Sequence, residues 1–219
     1  MALTKFNFNS FDVTTAASKG LGFNASANAF ATIDSTAMTL IKTLTASSSS
    51  TLSFVNGSSD VVLDNTYPIY LFKFINLHNS DDDNQFSFNL SVDSGSNYNV
   101  TKTSTHFYSI NTESGSNAFS YYAGGDLAQS TAFQITTLES GAENDECDCG
   151  ELYLFNPSST TFVKHYMCTM SELGAAPRAS NNYITGYGNT TSAINAVQFK
   201  YASQNIDSGT IKLYGIKDS

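Results

Sequence analysis

Tryptophan is absent from this 219-residue chain, arginine occurs once, at Arg178, and there are three prolines and three cysteines. Charged residues make up only 13% of the total, about half the usual share. Each scarcity excludes something. Three cysteines are too few for a disulfide scaffold, and a chain of this length can bury a core without one. Ten unclustered Lys and Arg residues against 19 Asp and Glu give a net charge of −9. A surface that grips nucleic-acid phosphates is therefore not expected, nor one drawn to anionic lipid. No apolar run reaches bilayer-spanning length. The start, Met1 to Thr15, has no charged opening followed by an unbroken apolar run, so no secretory signal is expected.

Small polar residues fill the place of the missing charge. Ser, Thr and Asn account for 76 positions, and they favour turns, caps and strand surfaces over helix interiors. Sixteen Phe and twelve Tyr supply the bulky apolar groups, and both suit strands. Five Asn-x-Ser/Thr triplets start at Asn24, Asn56, Asn89, Asn99 and Asn189; they reflect this composition rather than a glycosylation pattern.

Residues 1–36 read as an N-terminal arm. Phe6, Phe8, Phe11, Phe23 and Phe30 are scattered among Asn, Ser and Ala without a period. They are candidate partner-docking residues, because aromatics that a short arm cannot shield mark interaction sites; the alternative is that the arm folds back as an edge strand of its own sandwich. Gly20-Leu21-Gly22-Phe23-Asn24-Ala25 formally fits a dinucleotide fingerprint. No strand signal precedes it, no helical period follows, and no acidic residue lies about 20 positions on. It reads as a glycine turn between extended segments.

Residues 37–219 read as a single β-sandwich domain. The period is two, and strands are expected at 39–44, 52–55, 68–77, 85–93, 103–110, 133–138, 151–155, 162–170, 183–187, 196–201 and 210–216. The run 68–77 is apolar on both faces apart from Lys73, which predicts a central strand covered on both sides. In 85–93, Phe86, Phe88, Leu90 and Val92 point one way, with Ser87, Asn89, Ser91 and Asp93 on a wet opposite face. One helical turn is expected around Gly125 to Ala128. The fold class is all-β, a two-sheet antiparallel β-sandwich, jelly-roll-like.

Motifs that anchor catalysis are missing. His78, His106 and His165 are far apart, and there is no zinc-protease helix, nucleophile elbow or P-loop. A non-enzymatic protein with no cofactor is expected. Asp81-Asp82-Asp83-Asn84 and Glu143-Asn144-Asp145-Glu146 are acidic loops, read as solvated turns without calcium-loop spacing. Cys147, Cys149, His165 and Cys168 could form a zinc set by type, but His165 and Cys168 lie three apart on one strand and face opposite ways. No bound metal is expected. A hairpin placing Phe155 opposite Phe162 would instead set Cys149 opposite Cys168. Tyr121, Tyr122, Tyr183 and Tyr187, near Gly- and Asn-rich loops, offer a platform for a glycan.

Four stretches carry a resemblance: Gly95 to Thr103, Gly150 to His165 (GELYLFNPSSTTFVKH), Gly188 to Phe199 (GNTTSAINAVQF) and Asp207 to Ile216 (DSGTIKLYGI). Over roughly residues 67–216 the chain resembles a family of virion structural proteins from tailed bacteriophages, of the marine phage type. The resemblance implies a structural role, with no catalytic residues; together with the acidic, Ser/Thr/Asn-rich β-sandwich it leads to the expectation of a non-enzymatic virion subunit such as a capsid decoration protein or tail appendage. Its partners would be other virion proteins and copies of itself, with no nucleic acid or membrane. It would reside on the virion after assembly in the bacterial host cytoplasm. A carbohydrate-binding receptor-recognition module is the alternative.

Overall fold

The computed structural model describes residues 20–23, 26, 30–33 and 37–217. The chain divides into two compact units, with the boundary between Ala37 and Met38. In the first, β1 (Gly20–Phe23) pairs antiparallel with β2 (Phe30–Ile33). Gly20 and Gly22 therefore lie inside a strand rather than forming a turn. The repeat Gly-Leu-Gly-Phe is itself a period of two, placing Leu21 and Phe23 on one exposed face.

The second unit contains β3 (Met38–Thr45), β4 (Leu52–Val55), β5 (Ile69–Asn79), β6 (Phe86–Ser91), β7 (Lys102–Thr112), β8 (Asn117–Tyr121), β9 (Gln134–Ile135), β10 (Asp148–Phe155), β11 (Lys164–Gly174), β12 (Arg178–Gly188), β13 (Ala196–Tyr201) and β14 (Ile206–Ile216). An eight-stranded sheet has the order β3-β14-β5-β10-β11-β12-β7-β8, and a four-stranded sheet the order β4-β13-β6-β9. Every pairing is antiparallel. The chain crosses repeatedly between the sheets, so the architecture is the all-β, jelly-roll-like sandwich that the period of two predicts. No helix occurs among the described residues; Gly125 ends a turn closed by its N–H donating to the Tyr122 carbonyl at 3.0 Å, and Asp126 to Ala128 follow it without helical structure.

Aromatic rings fill the space between the sheets. Phe199 on β13 lies 5.2 Å from Phe72 and 5.3 Å from Phe74, both on β5, with edge-on geometry. It also meets Phe54, Phe86 and Phe88 on its own sheet. Tyr166 on β11 closes against Phe88 at 5.1 Å. Such edge-to-face pairs add to the burial that drives the sheets together.

Three sequence expectations need correction. Phe86, Phe88 and Leu90 are buried as expected, but so are Ser87, Asn89 and Ser91, while Val92 lies beyond the strand and is exposed. The opposite face of β6 is dry because neighbouring segments fold over it: Asn89 Nδ2 donates to the carbonyls of Tyr98 and Thr131 at 2.6 and 3.0 Å. The β5 run is central, but only partly covered outside, since Leu71 is buried and Ile75 exposed. The β10–β11 register also differs. Leu154 faces Tyr166, which sets Cys149 opposite Ser171 and Cys168 opposite Leu152. The Ser159 hydroxyl oxygen accepts from Thr161 N and Phe162 N at 3.2 and 3.1 Å. These bonds widen the loop and leave Phe162 outside the strand, 70% exposed.

Candidate interaction face

The inner face of the eight-stranded sheet carries the core, and its outer face is open. Register aligns the outward side chains in rows across the sheet. One row runs Tyr121, Phe107, Tyr183, Thr169, Glu151, Lys73, Lys212 and Thr43, one residue from each strand. A parallel row holds Thr105, Thr185, Met167, Tyr153, Leu71, Tyr214 and Leu40. Phe107 stacks on Tyr183 at 5.1 Å and 16°, and Phe119 leans on Phe107 at 5.5 Å. Phe119 is 74% exposed, and Tyr121, Met167, Tyr183 and Leu40 are exposed as well. A solvated sheet face normally alternates to polar residues; this one keeps aromatic and aliphatic groups. In the middle, Lys73 Nζ meets Glu151 Oε2 at 2.7 Å, beside an open groove of about 460 Å³. The Glu151 carboxylate raises the Lys73 pKa.

Phe23 and Phe30 face each other across β1 and β2 with rings stacked at 5.1 Å, and both are exposed; Phe6, Phe8 and Phe11 lie outside the described residues. Of the four tyrosines considered for a glycan, Tyr121 and Tyr183 share a row through Phe107. Tyr122 turns toward His106 and Gln85, and Tyr187 sits near His165. The sheet face was not singled out from the sequence, although one signal was present. β5 and β11 carry apolar residues in both phases of the period, which an antiparallel sheet with a wet face does not require.

The two acidic loops meet: Ala142 N donates to Asp82 Oδ1 at 2.7 Å, and Asn84 pairs with Ser140. Glu146 folds back to accept from Glu143 N at 2.9 Å. Their oxygens thus close loops, and no group of three or more potential metal ligands converges among the described residues. His165 and Cys168 face opposite sides of β11, exposed and buried respectively. The three histidines do not converge. His78 Nε2 lies 3.1 Å from the Glu143 carbonyl, and His106 Nε2 lies 3.1 Å from Asn182 Oδ1.

Beneath the face lies a buried polar layer. Asp148 and Glu172 are cross-strand neighbours with almost no exposure. Glu172 accepts from Leu138 N, Glu139 N and Asn182 Nδ2 at 2.8, 2.7 and 3.0 Å. Asp148 Oδ2 accepts from the hydroxyls of Ser140 and Tyr201 at 2.6 and 2.8 Å, while Oδ1 has no hydrogen-bond partner. Burial, and then the charge of Glu172, push the Asp148 pKa up to about 8. Burial also lowers the His106 pKa, against the opposing hydrogen bond to Asn182. The imidazole packs so closely under the chain that a Cβ on Gly125 would overlap its Nδ1. At the far end of the sheet, Lys102 and Lys164 flank Gly188 across three strands. Lys102 Nζ donates to Asn89 Oδ1 and to the Val100 carbonyl; burial depresses its pKa to about 7. These buried groups organise the interior, while Phe119, Tyr121, Met167 and Tyr183 leave apolar area exposed on the outer face. Comparison with family models, curated proteins and solved structures finds no match to this chain.

Proposed function

We propose that the chain is a non-enzymatic structural subunit of a bacteriophage virion, a capsid decoration protein or tail appendage, assembled with other virion proteins in the host cytoplasm. The observation that carries the reading is the open outer face of the eight-stranded sheet, with exposed Phe119, Tyr121, Met167, Tyr183 and Leu40. Phe119, Tyr121, Tyr183 and Met167 gather on β8, β12 and β11; exposed apolar groups gathered in this way mark a protein contact, and aromatic anchors are typical of such contacts. The acidic, Ser/Thr/Asn-rich composition and the resemblance over residues 67–216 support the same reading. Antibodies raised against the purified chain test it. They should label intact phage particles in immunogold electron microscopy, and peptides of the chain should appear in the proteome of purified virions. Absence from particles by both methods would overturn the proposal.

A glycan-binding receptor module is the second reading, favoured by the Tyr121–Phe107–Tyr183 row. Sugars stack on ring faces, but Phe107 and Tyr183 cover one face of each other. Phe119 and the free face of Tyr183 are what remain. A glycan array separates the readings: a structural subunit gives no signal. A signal lost in Tyr183→Ala would assign the face to carbohydrate.

A further inference from the structure

Cys147 and Cys149 flank buried Asp148 at the start of β10, opposite a bulge in β5. Between Asp148 and Gly150 the partner advances from Leu77 to Phe74, so three steps on β5 face two on β10. Asn76 sits in that bulge with a positive φ of 48°. Bulges re-aim side chains in this way. Asn76 N donates to Cys149 Sγ at 3.3 Å, and Asn76 Oδ1 lies 3.5 Å from Cys149 Sγ and 4.0 Å from Cys147 Sγ. The two thiols also reach each other. Both are free and partly exposed, whereas Cys168 is buried.

We propose that Cys147 and Cys149 form a two-thiolate site for a soft monovalent cation of the Cu(I) class. Thiolates select soft metals, and the number of ligands narrows the choice. A structural zinc site needs four. His165 lies six residues along β11 from Ser171, the partner of Cys149, or roughly 20 Å at strand rise. Two sulfurs alone suit linear two-coordinate binding. Metal–sulfur bonds of about 2.3 Å set two linearly bound sulfurs roughly 4–5 Å apart, and both sulfurs already gather on Asn76 Oδ1. A disulfide between residues i and i+2 of an extended segment would join Cα atoms about 6.6 Å apart, near the upper limit for such a bond. On binding, each thiol loses its proton to water and forms one S–Cu bond, giving a bis-thiolate complex with one negative charge. The Asn76 N–H stabilises that charge, and rotating the Asn76 carboxamide would turn its NH₂ group toward the sulfurs. Cys149 lines the groove beside Glu151 and Lys73, which leaves the site reachable by a carrier.

The test is titration of the reduced full-length chain with Cu(I), without oxygen, in competition with the chromophoric chelator bicinchoninate. Wild type should withdraw one equivalent of copper from the chelator. Cys147→Ser and Cys149→Ser should each lose this capacity, and Cys168→Ser should keep it. Alkylating the two accessible thiols of the folded wild-type chain should abolish uptake too, a check that does not depend on how the variants fold. The proposal is overturned if the reduced wild type takes no copper, if uptake survives in the double variant, or if the pair only closes to a disulfide.

Discussion

Asp148 carries its proton at neutral pH, and this makes stability respond to pH in a defined direction. Its folded pKa of about 8 lies above its unfolded value of 3.8. The folded state therefore holds a proton that the unfolded state has lost. Its contribution is fully present below about pH 4 and is lost as pH rises through 8. Lys102 runs the other way. With a folded pKa of about 7 against 10.5, its contribution is full above the unfolded value and is lost as pH falls through about 7. Between pH 5 and 7 a comparison of wild type with a variant lacking the carboxyl isolates the Asp148 term, because the Lys102 and His106 contributions are common to both. Asn has the shape of the protonated acid and keeps an oxygen for Ser140 and Tyr201. In urea unfolding, Asp148→Asn should gain on wild type with a slope approaching 1.4 kcal/mol per pH unit, about the value for one proton. Parallel curves would refute the assignment. Packing offers a second residue-level expectation. Phe199 touches five other phenylalanine rings, so Phe199→Ala should cost about 3–5 kcal/mol of unfolding free energy. A loss below 1 kcal/mol would mean the sheets close around the gap.

Strands β7, β8, β11 and β12 carry the exposed half of the aromatic face, and β11 and β12 alternate between core and solvent along much of their length. Replacing Phe119 and Tyr183 together by Ser removes apolar surface that already lies in water. Stability measured by thermal melting should change by no more than about 1 kcal/mol, while incorporation into particles assembled in infected cells should fall at least tenfold. Normal incorporation would exclude this face as the contact. Much at this scale was legible in the sequence. Alternation placed β4 and β13 at 52–55 and 196–201 and identified Phe86, Phe88 and Leu90 as core, because side-chain period is local information. β8 was missed, since Asn117 to Tyr121 is short and follows the turn at Gly115. Register between β10 and β11 was missed because the Ser159 hydroxyl sets the loop width, and with it the partners of Cys149 and Cys168. The dry outer side of β6 was missed because the segments at Tyr98 and Thr131 that cover Asn89 are brought over it by tertiary folding, which alternation within the strand does not report. The acid pair Asp148–Glu172 is likewise a product of register, 24 positions apart in the chain and adjacent only after β10 and β11 align.

The sandwich as a whole is built from its own residues. Its buried cluster runs from Ala46 to Leu213 and, among the described residues, draws on nothing before β3. Twelve strands in two sheets close that cluster, and aromatic rings from both sheets fill it. A chain beginning at Met38 should therefore fold by itself, with a single sharp melting transition and the same strand-dominated circular dichroism as the full chain. The arm expectation adds a second outcome. If the segment that carries Phe23 and Phe30 docks on a partner, the shortened chain should be soluble yet missing from purified particles, and the full chain should restore assembly. Two results separate the scales of failure. Unfolding of the shortened chain would place the early residues in the domain and end the arm hypothesis. Normal incorporation of a folded, shortened chain would leave the aromatic face of the eight-stranded sheet as the attachment surface, since it is the exposed apolar region that truncation does not touch.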